Sequence, residues 1–134
     1  MASWTAVKAM VIDDSQHMRR LITAILRGTG VETVDLDNCQ AALRMTKAWQ
    51  PDVILVDFEM RPMTGAEFTR ALRAQERGTP HRAAVLMITA HCDRRRVLEA
   101  REAGVDGLLS KPISVGALLS RVNLVLQSKH SLRA

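Results

Sequence analysis

Val53-Ile54-Leu55-Val56 is an unbroken apolar run, three of its four residues β-branched, closed by an acid, Asp57. A strand with one wet face alternates apolar and polar side chains; a continuous run suits a strand covered on both faces. Sheets are covered on both faces when helices cross between parallel strands. The rest of the chain repeats the theme. Val7–Ile12, Val31–Leu36, Ala83–Ile88 and Gly107–Leu109 read as four further short strands, the second more polar than the others.

Between the strands lie stripes of helical period. Met18, Leu21, Ile22 and Ile25 fall at i, i+3, i+4 and i+7, and Gly28 and Gly30 follow as stop signals. Asn38 can cap a second helix that runs to about Gln50, where Pro51 ends it. After the loop Phe58–Met63, Thr64 and Glu67 form a capping-box pair opening a helix with Phe68, Ala71 and Leu72 inward, broken by Gly78-Thr79-Pro80. Asp93 can cap a fourth helix with Val97, Leu98 and Ala100, closed by Gly104. Ser114 starts a last one carrying Leu118, Leu119, Val122, Val125 and Leu126, and residues from Ser128 on read as a frayed tail. Five strand–helix units in succession require right-handed crossovers and a parallel sheet. No repeat, linker or low-complexity tract interrupts them, so residues 1–134 are expected to form one domain with a core at about 7–127 and a tail at 128–134.

Composition narrows the class. The chain has 134 residues, 47% apolar and 25% charged, which excludes disorder, a coiled-coil rod and a collagen-like chain. Its longest apolar stretch, Ala83–Ile88, is far short of the about 20 residues a membrane span needs. The first residues lack the blocks of a secretion signal, so a soluble cytoplasmic protein is expected. The net charge is +5, spread over several helices, with Arg94-Arg95-Arg96 the one tight run. Cys39 and Cys92 match no metal-ligand spacing and read as reduced thiols.

In an open parallel sheet, ligands bind beyond the carboxyl ends of the strands. The first strand leaves through Asp13-Asp14, the third through Asp57, the fourth through Thr89 and the fifth through Ser110-Lys111-Pro112. The second leaves through Asp35 and Asp37, which need not join the same cluster. In the flavodoxin-like order 2-1-3-4-5, a (βα)5 three-layer sandwich, the three carboxylates Asp13, Asp14 and Asp57 crowd the centre. Such a group raises its own pKa values or recruits a hard cation such as Mg²⁺ or Mn²⁺. Lys111 adds a point charge for an anionic oxygen and Thr89 a hydroxyl donor. The set reads as a site for phosphoryl transfer onto a carboxylate.

Five motifs at these exits, Val11-Ile12-Asp13-Asp14-Ser15, Val56-Asp57-Phe58-Glu59-Met60, Met63-Thr64-Gly65, Ile88-Thr89-Ala90 and Ser110-Lys111-Pro112, together resemble the receiver domain of two-component response regulators. The likeness runs from about Val7 to Gln127 and is to stand-alone, chemotaxis-type receivers. It implies that Asp57 accepts a phosphoryl group from a phosphohistidine on a sensor histidine kinase or histidine phosphotransfer protein. It implies Mg²⁺ on Asp14, Asp57 and the main-chain carbonyl of Glu59, with Asp13 acting through water. It further implies that Lys111 and Thr89 grip the phosphoryl oxygens and that the Lys111–Pro112 bond is cis. The chain is expected to act through protein contacts, with no DNA-binding domain, no membrane and no turnover beyond self-phosphorylation from a donor and slow autodephosphorylation.

Several positions depart from the family pattern or flank it. Receivers usually carry Tyr or Phe three residues before the lysine, as part of the switch with Thr89; here that position is Leu108, and the chain has no Tyr. Proline follows Arg61 in Met60-Arg61-Pro62-Met63, one residue later than in many relatives. Glu59 and His91, two residues past Asp57 and Thr89, occupy positions that in the family tune the lifetime of the acyl phosphate. Arg94, Arg95 and Arg96 are candidates for a partner surface, as are His17, Arg19 and Arg20 for the phosphodonor. Rival readings are a Mg²⁺ phosphohydrolase of the haloacid dehalogenase kind, a flavodoxin-type electron carrier and a degenerate receiver acting as a scaffold. The first lacks a second Asp two residues after the nucleophile, the second meets repulsive acids where a flavin phosphate would sit, and the third does not need an intact acidic set.

Overall fold

A computed structural model describes residues 4–133, with side chains described for 4–128. Five strands and five helices alternate: β1 (Lys8–Ile12), α1 (Gln16–Arg27), β2 (Glu32–Leu36), α2 (Cys39–Trp49), β3 (Val53–Asp57), α3 (Gly65–Glu76), β4 (Ala84–Thr89), α4 (Arg94–Ala103), β5 (Gly107–Ser110) and α5 (Val115–Arg133). All strand pairs are parallel, in the order β2-β1-β3-β4-β5.

The unbroken apolar runs find their explanation in the two faces of this sheet. Met10, Ile12, Ile54, Val56, Val85 and Met87 point to one side, where Ala42, Phe68, Leu72, Ala100 and Ala103 of α2, α3 and α4 cover them. Ala9, Val11, Val53, Leu55, Ala84, Leu86 and Ile88 point to the other, against Ile22, Leu26, Leu118 and Val122 of α1 and α5. Each of these strand residues is 0–1% exposed, and burying one such aliphatic side chain stabilises by about 1.5–3 kcal/mol. β2 lies at the sheet's edge and has no fully buried residue.

The helix starts follow the capping residues. Asn38 accepts from Ala41 N, Thr64 and Glu67 form the reciprocal box, Asp93 accepts from Arg96 N, and Ser114 accepts from Ala117 N. At α1 the cap is Ser15, which accepts from Met18 N, so Asp14 is not engaged as a helix cap.

Three details differ from the sequence reading. Leu21 is 40% exposed, because the stripe of α1 centres on Ile22 and Leu26, with Met18 and Ile25 at its margins; Leu21 lies a full 100° step off that line. Leu98 is 45% exposed, while α4 packs through the small Ala100 and Ala103. The chain from Ser128 continues α5 through Arg133 instead of fraying; residue 134 and the side chains from 129 on lie outside the described residues.

Candidate functional site

β1 and β3 are neighbours in the sheet, so their C-terminal exits bring Asp13, Asp14 and Asp57 together; one carboxylate oxygen from each lies within 4.8 Å of the others. Asp13 and Asp57 are 2% and 3% exposed, and Asp14 is exposed. Asp13 Oδ1 accepts from Ser15 N at 2.9 Å, which fixes its carboxylate against the start of α1. Its Oδ2 is buried and receives no hydrogen bond. A buried carboxylate oxygen in that condition is costly unless a proton or cation meets it.

The backbone around Asp57 is clamped from two sides. Phe58 N donates to Ile88 O at 2.8 Å and Gly65 N to Phe58 O at 3.1 Å. Gly65 is required by proximity: a Cβ there would stand 2.7 Å from Asp57 O. The Met63-Thr64-Gly65 motif thus lets the N-terminus of α3 press on the exit of β3.

β4 and β5 bring the remaining groups. Lys111 N donates to Thr89 O at 2.9 Å, and the Lys111 ammonium lies 2.8 Å from Asp57 Oδ1. The Lys111–Pro112 peptide is cis, and so is Arg61–Pro62, in the loop whose proline sits one position late. Thr89 is fully buried. Its hydroxyl donates to Glu59 Oε1 at 3.0 Å and accepts from His91 N at 3.1 Å.

The electrostatics follow from this crowding. Burial pushes the Asp57 carboxyl up to about 6; the hydrogen bond from Lys111 opposes that rise, and the charge of Asp13 adds to it. Asp13 is raised as well, again mainly by burial. Burial works against the Lys111 ammonium, but the hydrogen bond and charge of Asp57 outweigh it and hold the lysine above its ordinary value. Glu59 is also opposed by burial, yet the Thr89 hydroxyl and the Ala90 N–H bring it below the usual carboxylate range. Cys39 is buried and pushed up to about 12, chiefly by desolvation and then by Asp57, so it is an inert packing thiol.

The remaining candidates divide. His17, Arg20, His91, Arg94 and Arg95 are exposed. Arg19 is tied down, its Nη1 donating to Asp13 O at 2.7 Å and its Nε to Asp35 Oδ2 at 2.9 Å. The Asp35 carboxylate is thus tied to the first strand's exit through Arg19. Leu108 is half-buried and packs against the cluster under α4. Arg96 does not share the outward course of its two neighbours. It turns back over Phe58 and donates to Thr89 Oγ1 at 3.0 Å. Seven residues separate Arg96 from Thr89, and no periodicity announces a contact that folds back across a helix start.

Residues 9–123 match the family model described as response regulator receiver domain. The chain belongs to that family. As a receiver domain it is 35% identical to the chemotaxis protein CheY of Pseudomonas aeruginosa over 122 residues, 90% of this chain and 97% of that one. It is 32% identical to CheY-3 of Vibrio cholerae over 90% of this chain and 92% of the relative. It also matches the DNA-binding response regulator MtrA of Mycolicibacterium paratuberculosis at 31% identity, spanning about half (51%) of that longer protein. Among solved structures, Vibrio cholerae CheY4 superposes with a TM-score of 0.82 at 29% identity, covering 89% of this chain and 98% of that one. The receiver domain of NarL from Mycobacterium tuberculosis gives 0.82 at 30% identity, covering 95% and 98%. Receiver domains are signalling modules, and the acidic group of Asp13, Asp14 and Asp57 stands in this one. Among the described residues no helix is long and apolar enough to cross a membrane.

Proposed function

We infer that Asp57 is the phospho-acceptor of this receiver. The observation that carries the reading is the Lys111 ammonium 2.8 Å from Asp57 Oδ1, at the rim of the hollow formed by Asp13 and Asp14. The donor is a phosphohistidine on a sensor histidine kinase or histidine phosphotransfer protein. An Asp57 carboxylate oxygen attacks the phosphorus, the P–O bond forms as the P–N bond breaks, and the leaving imidazole regains its electron pair. Lys111 neutralises one phosphoryl oxygen as charge builds and Thr89 can donate to another.

The residues fit a hard cation: three carboxylates converge, and one buried oxygen of Asp13 has no donor. Asp14 and Asp57 would hold Mg²⁺ (or Mn²⁺) with the main-chain carbonyl of Glu59, and Asp13 would reach it through water. When bound, it supplies positive charge to the incoming phosphoryl oxygens. Glu59 and His91 flank the acceptor and set how quickly water removes the phosphoryl group, the chain's own slow dephosphorylation. Exposed His17 and Arg20 face the donor, and exposed Arg94 and Arg95 face the downstream protein.

Acetyl phosphate with Mg²⁺, followed by intact mass, tests the assignment. One phosphoryl group should appear on the parent and none on Asp57→Asn. Incorporation that survives Asp57→Asn would move the acceptor elsewhere, and turnover of simple phosphate esters would return the phosphohydrolase reading.

A further inference from the structure

To grip a phosphoryl oxygen, Thr89 must give it the hydroxyl proton, and here that single proton has Glu59 Oε1 as its nearer acceptor at 3.0 Å, with His91 O at 3.4 Å. The arrangement is closed by Arg96. Its Nη1 donates to Thr89 Oγ1 at 3.0 Å and stands 3.8 Å from Glu59 Oε1. The guanidinium lies over the Phe58 ring, with Cζ 3.4 Å from the ring centroid, and Nε is 3.7 Å from Glu99 Oε1. With its side chain only 20% exposed, Arg96 is held from β4, from the loop after β3 and from its own helix at once. Its backbone N–H is also the one bonded by the cap Asp93, at 2.9 Å. One residue therefore joins the Thr89 hydroxyl to the first turn of α4. Leu108, at the position where the family's aromatic side chain stands, has no polar atom with which to make such a link.

We propose that Arg96 is a positioning residue that couples Thr89 to α4: with Glu59 it holds the hydroxyl in its unphosphorylated orientation, and a phosphoryl group on Asp57 releases it. The inference rests on the reading of Asp57 as the acceptor. Phosphorylation turns the Asp57 carboxylate into an acyl phosphate with up to two negative charges, a net gain of about one beside Glu59. Repulsion at short range drives the Glu59 carboxylate, whose side chain is 36% exposed, toward solvent. The Thr89 proton turns to a phosphoryl oxygen, and Arg96 loses two partners while keeping Phe58 and Glu99. It then relaxes along α4, and the exposed Arg94, Arg95 and Leu98 are presented differently.

The experiment reads amide hydrogen exchange over residues 94–97 in the full chain, before and after acetyl phosphate with Mg²⁺, with intact mass reporting phosphate in the same samples. In the parent, phosphorylation should speed exchange there by roughly tenfold, the factor that loss of about one charge-assisted hydrogen bond carries. Arg96→Ala should still accept phosphate, exchange fast from the outset, and show no further increment. An Arg96 that merely braced α4 would, when removed, speed exchange in both states and leave the increment intact; that result overturns the proposal. So does a phosphorylated parent with an unchanged first turn, a measurement that needs no variant to fold. A parent that takes up no phosphate at all refutes the acceptor assignment, and the coupling falls with it.

Discussion

Two glycine-to-alanine replacements should move stability in opposite directions. Gly65 opens α3, and an added Cβ would meet Asp57 O at 2.7 Å, Phe58 Cα at 3.1 Å and Asp57 C at 3.2 Å. All three are backbone atoms of a strand exit already clamped by hydrogen bonds of 2.8 and 3.1 Å, so no side-chain tip can swing aside. Overpacking of this kind costs about 1–3 kcal/mol. Gly116, near the start of α5, has nothing within 4 Å of its Cβ position. Alanine there gains only the glycine-to-alanine benefit, about 0.4–1 kcal/mol. That benefit applies at Gly65 as well and cancels in the difference, which isolates the steric cost at about 1–3 kcal/mol. Urea unfolding of the parent and both variants, at equal slope, reads the difference from the midpoints. Gly116→Ala should unfold later than the parent and Gly65→Ala earlier. Because the crowded atoms belong to Asp57 and its neighbour, Gly65→Ala should also slow phosphate uptake, with Gly116→Ala unaffected. Equal shifts of the same sign in the two variants would refute the contact argument.

Three other perturbations follow from the charges. Asp57, buried and raised from 3.8 to about 6, binds its proton more tightly folded than unfolded. Its contribution is therefore whole below pH 4, declines as pH rises through 6, and leaves a deficit of up to ~3 kcal/mol at pH 7. Asp57→Asn should match the parent near pH 4 and exceed it at pH 7 in cation-free urea titrations, and Mg²⁺ should narrow the gap by stabilising the parent. At the other end of the sheet, Asp106→Ala strips Arg73 and Arg82 of a largely buried partner. A loss of about 3–5 kcal/mol is expected by chemical denaturation, with phosphate uptake retained at temperatures where the variant stays folded. Glu59→Ala and His91→Ala should each change the half-life of the phosphorylated state, followed by intact mass after removal of the phosphodonor. Unchanged half-lives in both would free these positions from any part in hydrolysis.

How much the sequence revealed depended on the range of each signal. Strand order, caps and the acids at the strand exits are governed by local chemistry and by the sheet rule, and they appear in the chain as runs, Asx residues and abrupt Val–Asp boundaries. The Thr64–Glu67 box and the continuous run before Asp57 needed nothing distant to be read. Leu21 fits the helical spacing of the α1 stripe as well as its neighbours do, and only the position of β1 and β2 beneath the helix turns it outward and Leu26 inward. Arg96 was harder. Its sequence context, Asp93-Arg94-Arg95-Arg96, reads as one basic run, yet the three side chains face different surroundings once α4 begins. Arg96 alone has Phe58, Glu59 and Thr89 within reach. A planar cation above an aromatic ring is a tertiary fact with no periodic trace.

The two ends of the sheet make opposite use of aspartate, and the contrast locates the working end without reference to any relative. Asp106 stands at the N-terminal end of β5, only 10% exposed in its side chain. It accepts from Arg73 at 2.9 Å, Arg82 at 2.9 and 3.3 Å and Val85 N at 2.8 Å, so both its oxygens are satisfied by the protein itself. Arg73 donates in turn to Glu76, Ala83 O and Gly104 O. That network joins α3 to the loops around β4 and β5. At the C-terminal end Asp13 and Asp57 are still more buried, yet one oxygen of Asp13 has no donor, and among the described residues the acids meet a single ammonium group, that of Lys111. Equal chemistry and comparable burial with unequal satisfaction mark the deficient end as the one that can take a ligand. Positive charge is what such a hollow of acids lacks, and a divalent cation would provide it, leaving Lys111 and that charge to receive an anionic phosphoryl group.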